Sequence, residues 1–175
     1  YSLIHFDLVD AWRIGQANTV TNNYTADGTT SQVQLYSQWR YRLTEKLTLN
    51  TGFHFNILTA GNQYNIEPRL SLQYKLSSKH IFSFATGLYS RVEPMAFYLV
   101  GYYDGGEYIQ PNKNLELSKA YHAVTGYEFR FFGSFRFKTE VYVQYLYDVP
   151  VKENDKGRFS AIISDVRYPT FLLNN

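Results

Sequence analysis

The sequence predicts an all-β protein whose antiparallel strands form an up-and-down β-barrel, with about eight strands in this chain. Apolar and polar residues alternate with a period of two along most of the 175 residues, and this is the repeat of a β-strand. No stretch of helical length carries a 3.6-residue repeat. Short and long connections also alternate along the chain, as in a meander whose tight turns share one rim.

The strands are predicted, in chain order, at residues 2–14, 31–43, 47–59, 64–76, 80–91, 120–131, 135–148 and 159–164. The clearest is FRFKTEVYVQYLYD at 135–148, in which aromatic, β-branched and Thr residues take the odd positions and mostly charged or polar residues the even ones. Short connections follow the second, fourth and sixth strands at 44–46, 77–79 and 132–134. Longer ones are predicted at 15–30, 60–63, 92–119 and 149–158.

The alternation fits two environments. A soluble antiparallel sheet also has one face on a core and one in water. Strands of soluble proteins, however, peak at about 5–6 residues. Fourteen residues at roughly 3.3 Å each, tilted by about 45°, project to about 33 Å, the scale of a bilayer's hydrocarbon core. Aromatic residues also gather on the apolar side of the strand ends beside the short turns, as in the interfacial girdles of membrane barrels: Trp39, Tyr41, Tyr74, Phe82, Phe129, Phe131, Phe135 and Phe137. We therefore predict a transmembrane barrel.

Composition excludes several functions. A net charge of +2 with dispersed basic residues argues against a nucleic-acid partner, and the absence of cysteine removes thiol chemistry. The longest apolar run, at 95–100, is too short for a membrane helix. The four histidines, at positions 5, 54, 80 and 122, lack metal-ligand spacing, and no nucleophile or phosphate-binding motif occurs. We predict no metal, no cofactor and no enzymatic activity.

Two groups of residues are candidates for function. The polar side of the strands is unusually charged, which suits a hydrated lumen; its members are Arg40, Arg42, Glu67, Arg69, Glu128, Arg130, Arg136, Lys138 and Glu140. Ion pairing along this wall explains the alternating signs more simply than acid/base catalysis does. The Gly-rich segment GYYDGGEY offers possible ligand contacts on the external rim, or else only covers the barrel mouth; its candidates are Tyr102, Tyr103, Asp104, Glu107 and Tyr108.

Several stretches resemble the barrel of TonB-dependent outer-membrane receptors of the Bacteroidetes type. They are YSQWRYRLTEKLTLNTGFHF at 36–55, NIEPRLSLQYKLSSKHIFSF at 65–84, NLELSKAYHAVTGYEFRF at 114–131 and VYVQYLYDVPV at 141–151. The resemblance implies that residues 1–175 are one segment of a larger barrel of about twenty-two strands, located in the bacterial outer membrane, with no plug domain in this segment.

The resemblance also implies import of a scarce nutrient such as a siderophore, cofactor or glycan. The implied partners are outer-membrane lipid, the plug and remaining strands, a TonB-type energy-coupling protein and a surface lipoprotein. Two alternatives stay open from the residues. One is a complete eight-stranded outer-membrane protein with a structural or adhesion role, and the other is a lipase-type barrel, for which we find no nucleophile and base.

Overall fold

The described part of the chain is mostly β-structure. A computed structural model describes residues 2–13, 20–133, 135–152, 160–162 and 173–174, of which 2–13 and 20–27 are treated by their backbone alone. The elements are β1 (Ser2–Arg13), β2 (Val20–Arg42), β3 (Leu47–Leu58), a 3-10 turn (Ala60–Asn62), β4 (Gln63–Lys75), β5 (His80–Arg91), α1 (Met95–Leu99), β6 (Tyr102–Asp104), β7 (Glu107–Ile109), β8 (Ser118–Phe131), β9 (Phe135–Tyr147), β10 (Val151–Lys152) and β11 (Leu173–Asn174). The all-β prediction is confirmed.

Seven strands form one antiparallel sheet in the order β1, β2, β3, β4, β5, β8, β9. Its cross-strand register places the predicted polar positions on one side, because residues opposite each other in a ladder point to the same face. One such row runs Gln38, Gly52, Arg69, Gly87 and His122. We call this side the polar face and the other, which carries the aliphatic and aromatic residues, the apolar face.

The first long connection was wrongly predicted. β2 begins at Val20, so residues 20–30 belong to a strand rather than to a loop, and they pair with β1. Only Gln32–Arg42 pairs with β3, so the β1–β2 ribbon runs on past the end of β3. The sequence TNNYTADGTTSQ gave no sign of this strand, because its residues do not alternate between apolar and polar. The connection at 60–63 is also short, a 3-10 turn leading directly into β4.

The connection between β5 and β8 is a folded unit, which we call the cap (residues 92–117). It contains α1 and the β6–β7 hairpin, neither of which the alternation predicts. Its buried members Ala96, Phe97, Tyr98, Leu99, Val100, Leu115 and Leu117 pack with Leu58 from the end of β3 and with Leu173. The buried apolar cluster of the described chain therefore lies in and against the cap, at one end of the sheet.

The sheet is open in the described part of the chain, with β1 and β9 at its edges, so closure into a barrel is not seen within this segment. Half of the predicted eighth strand at 159–164, namely residues 159, 163 and 164, lies outside the described residues. Of the part that is described, Ser160 makes a single bridge to Val151 and residues 161–162 form a turn. Within the described ranges, no helix combines the length and the apolar character needed to cross a bilayer.

Candidate functional site

The charged residues predicted for the lumen wall share the polar face. Glu128 lies opposite Lys138, and Arg130 lies opposite Arg136. Glu128 accepts from Arg130 Nε and Arg136 Nη2, each at 2.7 Å. The predicted pairing of alternating charges is thus present in the β8–β9 hairpin, where Lys138 also pairs with Glu140 at 2.6 Å. Arg40 and Arg42 on β2 are exposed on the same face.

Glu67 is the exception on this face, because its carboxylate is buried, with only 2% of the side chain exposed. Its Oε1 accepts the backbone N–H of Ser90 at 2.9 Å and the Ser90 hydroxyl. Its Oε2 accepts from His54 Nδ1 at 3.0 Å and from Arg69 Nη2 at 2.7 Å. Four donors therefore satisfy one buried carboxylate, as a buried charge requires.

The position of Glu67 follows from the ladder between β4 and β5. Backbone pairing between these strands stops at Arg69 and Gly87, so β5 separates from β4 beyond that point. The Ser90 N–H would then lack a strand partner, and the Glu67 side chain supplies the acceptor instead. Asn56 extends the network, accepting from Gln32 Nε2 at 2.9 Å and donating to Ser90 Oγ at 3.4 Å.

An open cleft of about 460 Å³ lies on the polar face beside this network. Gly52 lies within it, and a Cβ at this position would sit 2.4 Å from the Ser37 carbonyl oxygen, so the backbones approach too closely for any other residue. Side chains at the cleft are Tyr36, Gln38, Asn50, His54, Arg69 and Tyr89. A second cleft, of about 410 Å³, shares Asn50, Ser71 and Ala85 with the first and extends to Arg40 and Glu140.

Arg69 is held firmly at this cleft. Its guanidinium carbon lies 4.5 Å from the centroid of the Tyr89 ring, and that ring packs on His122 at 4.7 Å. One guanidinium nitrogen is bound to Glu67, while 45% of the side chain remains exposed. The Tyr89 ring therefore fixes the plane of the Arg69 guanidinium, and Glu67 binds one of its nitrogens. The other guanidinium N–H groups face the open cleft.

Sequence reasoning identified Glu67 and Arg69 but not their neighbours. The sequence analysis treats His54 only as a histidine without metal-ligand spacing, whereas in the structure it hydrogen-bonds to Glu67 on the polar face. Pairing β3 with β4 through their short connection would have placed His54 opposite Glu67. Ser90 carries no such signal, because it lies at an apolar-face position and reaches Glu67 only where the ladder breaks.

The external-loop candidates form the β6–β7 hairpin of the cap. Gly105 and Gly106 make its turn with φ of 58° and 88°, a conformation that favours glycine. Tyr103 is exposed and its ring lies 5.2 Å from that of Tyr108, whose hydroxyl donates to the Leu99 carbonyl at 3.3 Å. The remaining candidates, Tyr102, Asp104 and Glu107, lie in the same hairpin. Among the described residues that line the cleft of Gly52, none belongs to this hairpin, so the two candidate groups are separate.

In the part of the chain that the structure describes, no three His, Asp or Glu side chains converge as ligands for a metal ion. Comparisons with protein-family models, with curated proteins and with solved structures found no significant match to this chain.

Proposed function

We propose that this chain is a wall segment of a transmembrane β-barrel in the bacterial outer membrane, belonging to a TonB-dependent receptor that imports a scarce nutrient. In this role the apolar face contacts lipid and the polar face lines a hydrated interior. The cap and the β1–β2 ribbon lie at the external end. The segment contributes wall and external surface rather than catalysis.

The observation that carries the proposal is that no part of the described chain covers the apolar face. Large apolar side chains on it are strongly exposed from β2 to β9, for example Leu35 at 63%, Val141 at 64% and Tyr145 at 66%. The buried apolar residues pack in the cap instead. Soluble proteins rarely leave a contiguous apolar surface of this extent open to water, and acyl chains would cover it at no cost.

The aromatic residues of this face support a membrane boundary near the short turns. Phe131 stacks on Phe129 at 5.4 Å and on Phe135 at 5.6 Å, which joins β8 to β9. Phe82 packs on Tyr127 at 5.0 Å, which joins β5 to β8. A band of rings therefore crosses three neighbouring strands at one level, as in an interfacial girdle.

A second band lies toward the opposite strand ends. Tyr145 stacks on Tyr147 at 6.0 Å at the end of β9. From Phe137 to Tyr145 the strand advances eight residues, about 27 Å along its axis and about 21 Å along the normal at a tilt of roughly 40°. This is close to the apolar band of about 25 Å of outer-membrane barrels.

The open edges define what completes the barrel. β9 and the Val33–Arg42 part of β2 have no second strand partner within the described residues. Unpaired edges are not tolerated in a hydrocarbon environment, so further strands of the receptor would pair with them. A plug inside the barrel, a TonB-type energy-coupling protein and a surface lipoprotein are the partners that the proposed family implies.

The test is the number of strands in the closed barrel that contains this segment, determined by cryo-EM of the material isolated from its membrane. About twenty-two strands around a plug, with a native band several-fold heavier than 20.5 kDa, would support the receptor. Eight strands that close on themselves would replace it with a small outer-membrane protein of structural or adhesion role. A water-soluble particle with the apolar face buried against protein would refute both.

A further inference from the structure

We infer that the cleft over Gly52 is a binding site for an anionic group, a carboxylate or a phosphate, with Arg69 as its anchor. The inference deepens the proposed function, since it requires the polar face to be hydrated. It assigns to this wall a ligand contact in addition to its part in the barrel.

The immobilised guanidinium is the first reason. Glu67 binds one nitrogen of Arg69 at 2.7 Å, and the Tyr89 ring supports the plane at 4.5 Å. Among the described residues, no hydrogen bond is made by the other guanidinium N–H groups. A planar fork that is fixed in advance loses little conformational entropy on binding, and its geometry matches carboxylate and phosphate oxygens.

The space beside Arg69 is the second reason. Its cross-strand neighbours on the polar face are Gly52 and Gly87, which bring no side chain of their own, and the Tyr89 ring lies against the guanidinium. The surrounding cleft of about 460 Å³ falls in the size range of small-molecule sites.

The charge distribution selects the ligand. The carboxylate of Glu67 is buried and fully occupied by four donors, so it does not face the cleft as a free acceptor. Arg69 offers donors only, and Gln38 and Asn50 bring amide groups to the same cleft. A group that accepts several hydrogen bonds and carries negative charge satisfies these donors best.

Arg130 provides an internal comparison. It also pairs with a glutamate two residues away, Glu128, at 2.7 Å. Its cross-strand neighbour is Arg136, which binds the same carboxylate. Arg130, Arg136 and Glu128 therefore form a structural ion-pair network. Arg69 differs in that it borders an open cleft and lies against an aromatic ring.

The test is isothermal titration of the intact, detergent-solubilised barrel with succinate and, separately, with inorganic phosphate. Saturable binding of at least one of these anions is expected, and the stronger of the two identifies the class. Arg69→Gln should weaken binding by about tenfold or more, the range of a charge-assisted hydrogen bond. Arg69→Lys, which keeps a positive charge beside Glu67, should fold and still lose most of this affinity because lysine lacks the fork. The control Arg42→Gln, on the same face outside the cleft, should bind within about twofold of wild type, since exposed charges at a distance are screened.

Absence of saturable binding by either anion, or equal affinity in wild type and both Arg69 variants, would overturn the inference. A barrel of about twenty-two strands that binds neither anion would overturn it while leaving the proposed function intact. Binding that depends on Arg69 in a protein without a lipid-exposed apolar face would keep the site and remove the barrel.

Discussion

Replacement of Glu67 by glutamine tests the buried network most sharply. Glutamine has nearly the same shape as glutamate but one acceptor oxygen in place of two, and its amide nitrogen donates. In Glu67→Gln the amide nitrogen replaces one of the two oxygens and meets a group that can only donate, either the Ser90 backbone N–H or the Arg69 guanidinium, so that bond is lost. The Ser90 hydroxyl or the His54 ring nitrogen on the same side can instead accept from the amide.

The magnitude follows from the hydrogen bond lost. A hydrogen bond to a charged group contributes about 1.5–3 kcal/mol, and part of the loss from the exposed Arg69 is recovered by water. One lost bond of this kind gives a loss of about 1.5–3 kcal/mol in the free energy of unfolding, or roughly 10- to 150-fold in the equilibrium constant. Glu140→Gln is the matched control. Its partner Lys138 and the carboxylate itself are about half exposed, and such pairs are worth about 0–1 kcal/mol.

The assay is urea unfolding of both variants in the same detergent, followed by circular dichroism and by the mobility shift of unheated samples on gels. The expected result is a clearly lower midpoint for Glu67→Gln, with Glu140→Gln close to wild type. Indistinguishable midpoints for the two variants would mean that the Glu67 network does not stabilise the separation of β4 from β5.

Two other substitutions have defined outcomes. Gly52→Ala places a Cβ 2.4 Å from the Ser37 carbonyl oxygen and should lower the free energy of unfolding by about 1–3 kcal/mol in the same urea assay. Gly126→Ala meets the Ser83 hydroxyl, which can rotate away, and should therefore lower it by less. A larger loss for Gly126→Ala than for Gly52→Ala would contradict this prediction. Burial raises the pKa of Tyr98 in the cap to about 12 from an ordinary value of 10.0. Because the folded pKa is the higher one, the neutral phenol contributes full stability below about pH 10 and loses about 1.4 kcal/mol per pH unit between about pH 10 and 12. Thermal unfolding across that interval should show this loss in wild type and not in Tyr98→Phe, and parallel curves for the two proteins would refute it.

The strands that alternate are the ones that the sequence predicts well. β5 at His80–Arg91 matches the predicted bounds, and β9 ends one residue before its predicted end. Both strands have one side that is more apolar than the other, and this difference appears in the sequence as a period-two repeat that predicts a strand. The residues of β2 before Gln32 lack this repeat, and their strand was missed for that reason.

The cap and the cleft could not be predicted in the same way. The cap depends on Leu58, Leu117 and Leu173, which lie far apart in sequence and meet only in the folded chain. The cleft depends on the backbone approach at Gly52 and on the break in the ladder after Gly87. Both depend on strand register and strand separation, which the residue pattern of a single strand does not predict.

Site-directed spin labelling of β9 can show whether the apolar face contacts lipid. The chain has no cysteine, so Val141→Cys, Tyr142→Cys and Val143→Cys each carry one label, and all three native side chains are similarly exposed, at 64%, 74% and 61%. In outer membranes, labels at 141 and 143 should collide with oxygen, which is soluble in lipid. The label at 142 should collide instead with a water-soluble nickel chelate. Equal access of the chelate to all three positions would mean that the apolar face of β9 does not contact lipid.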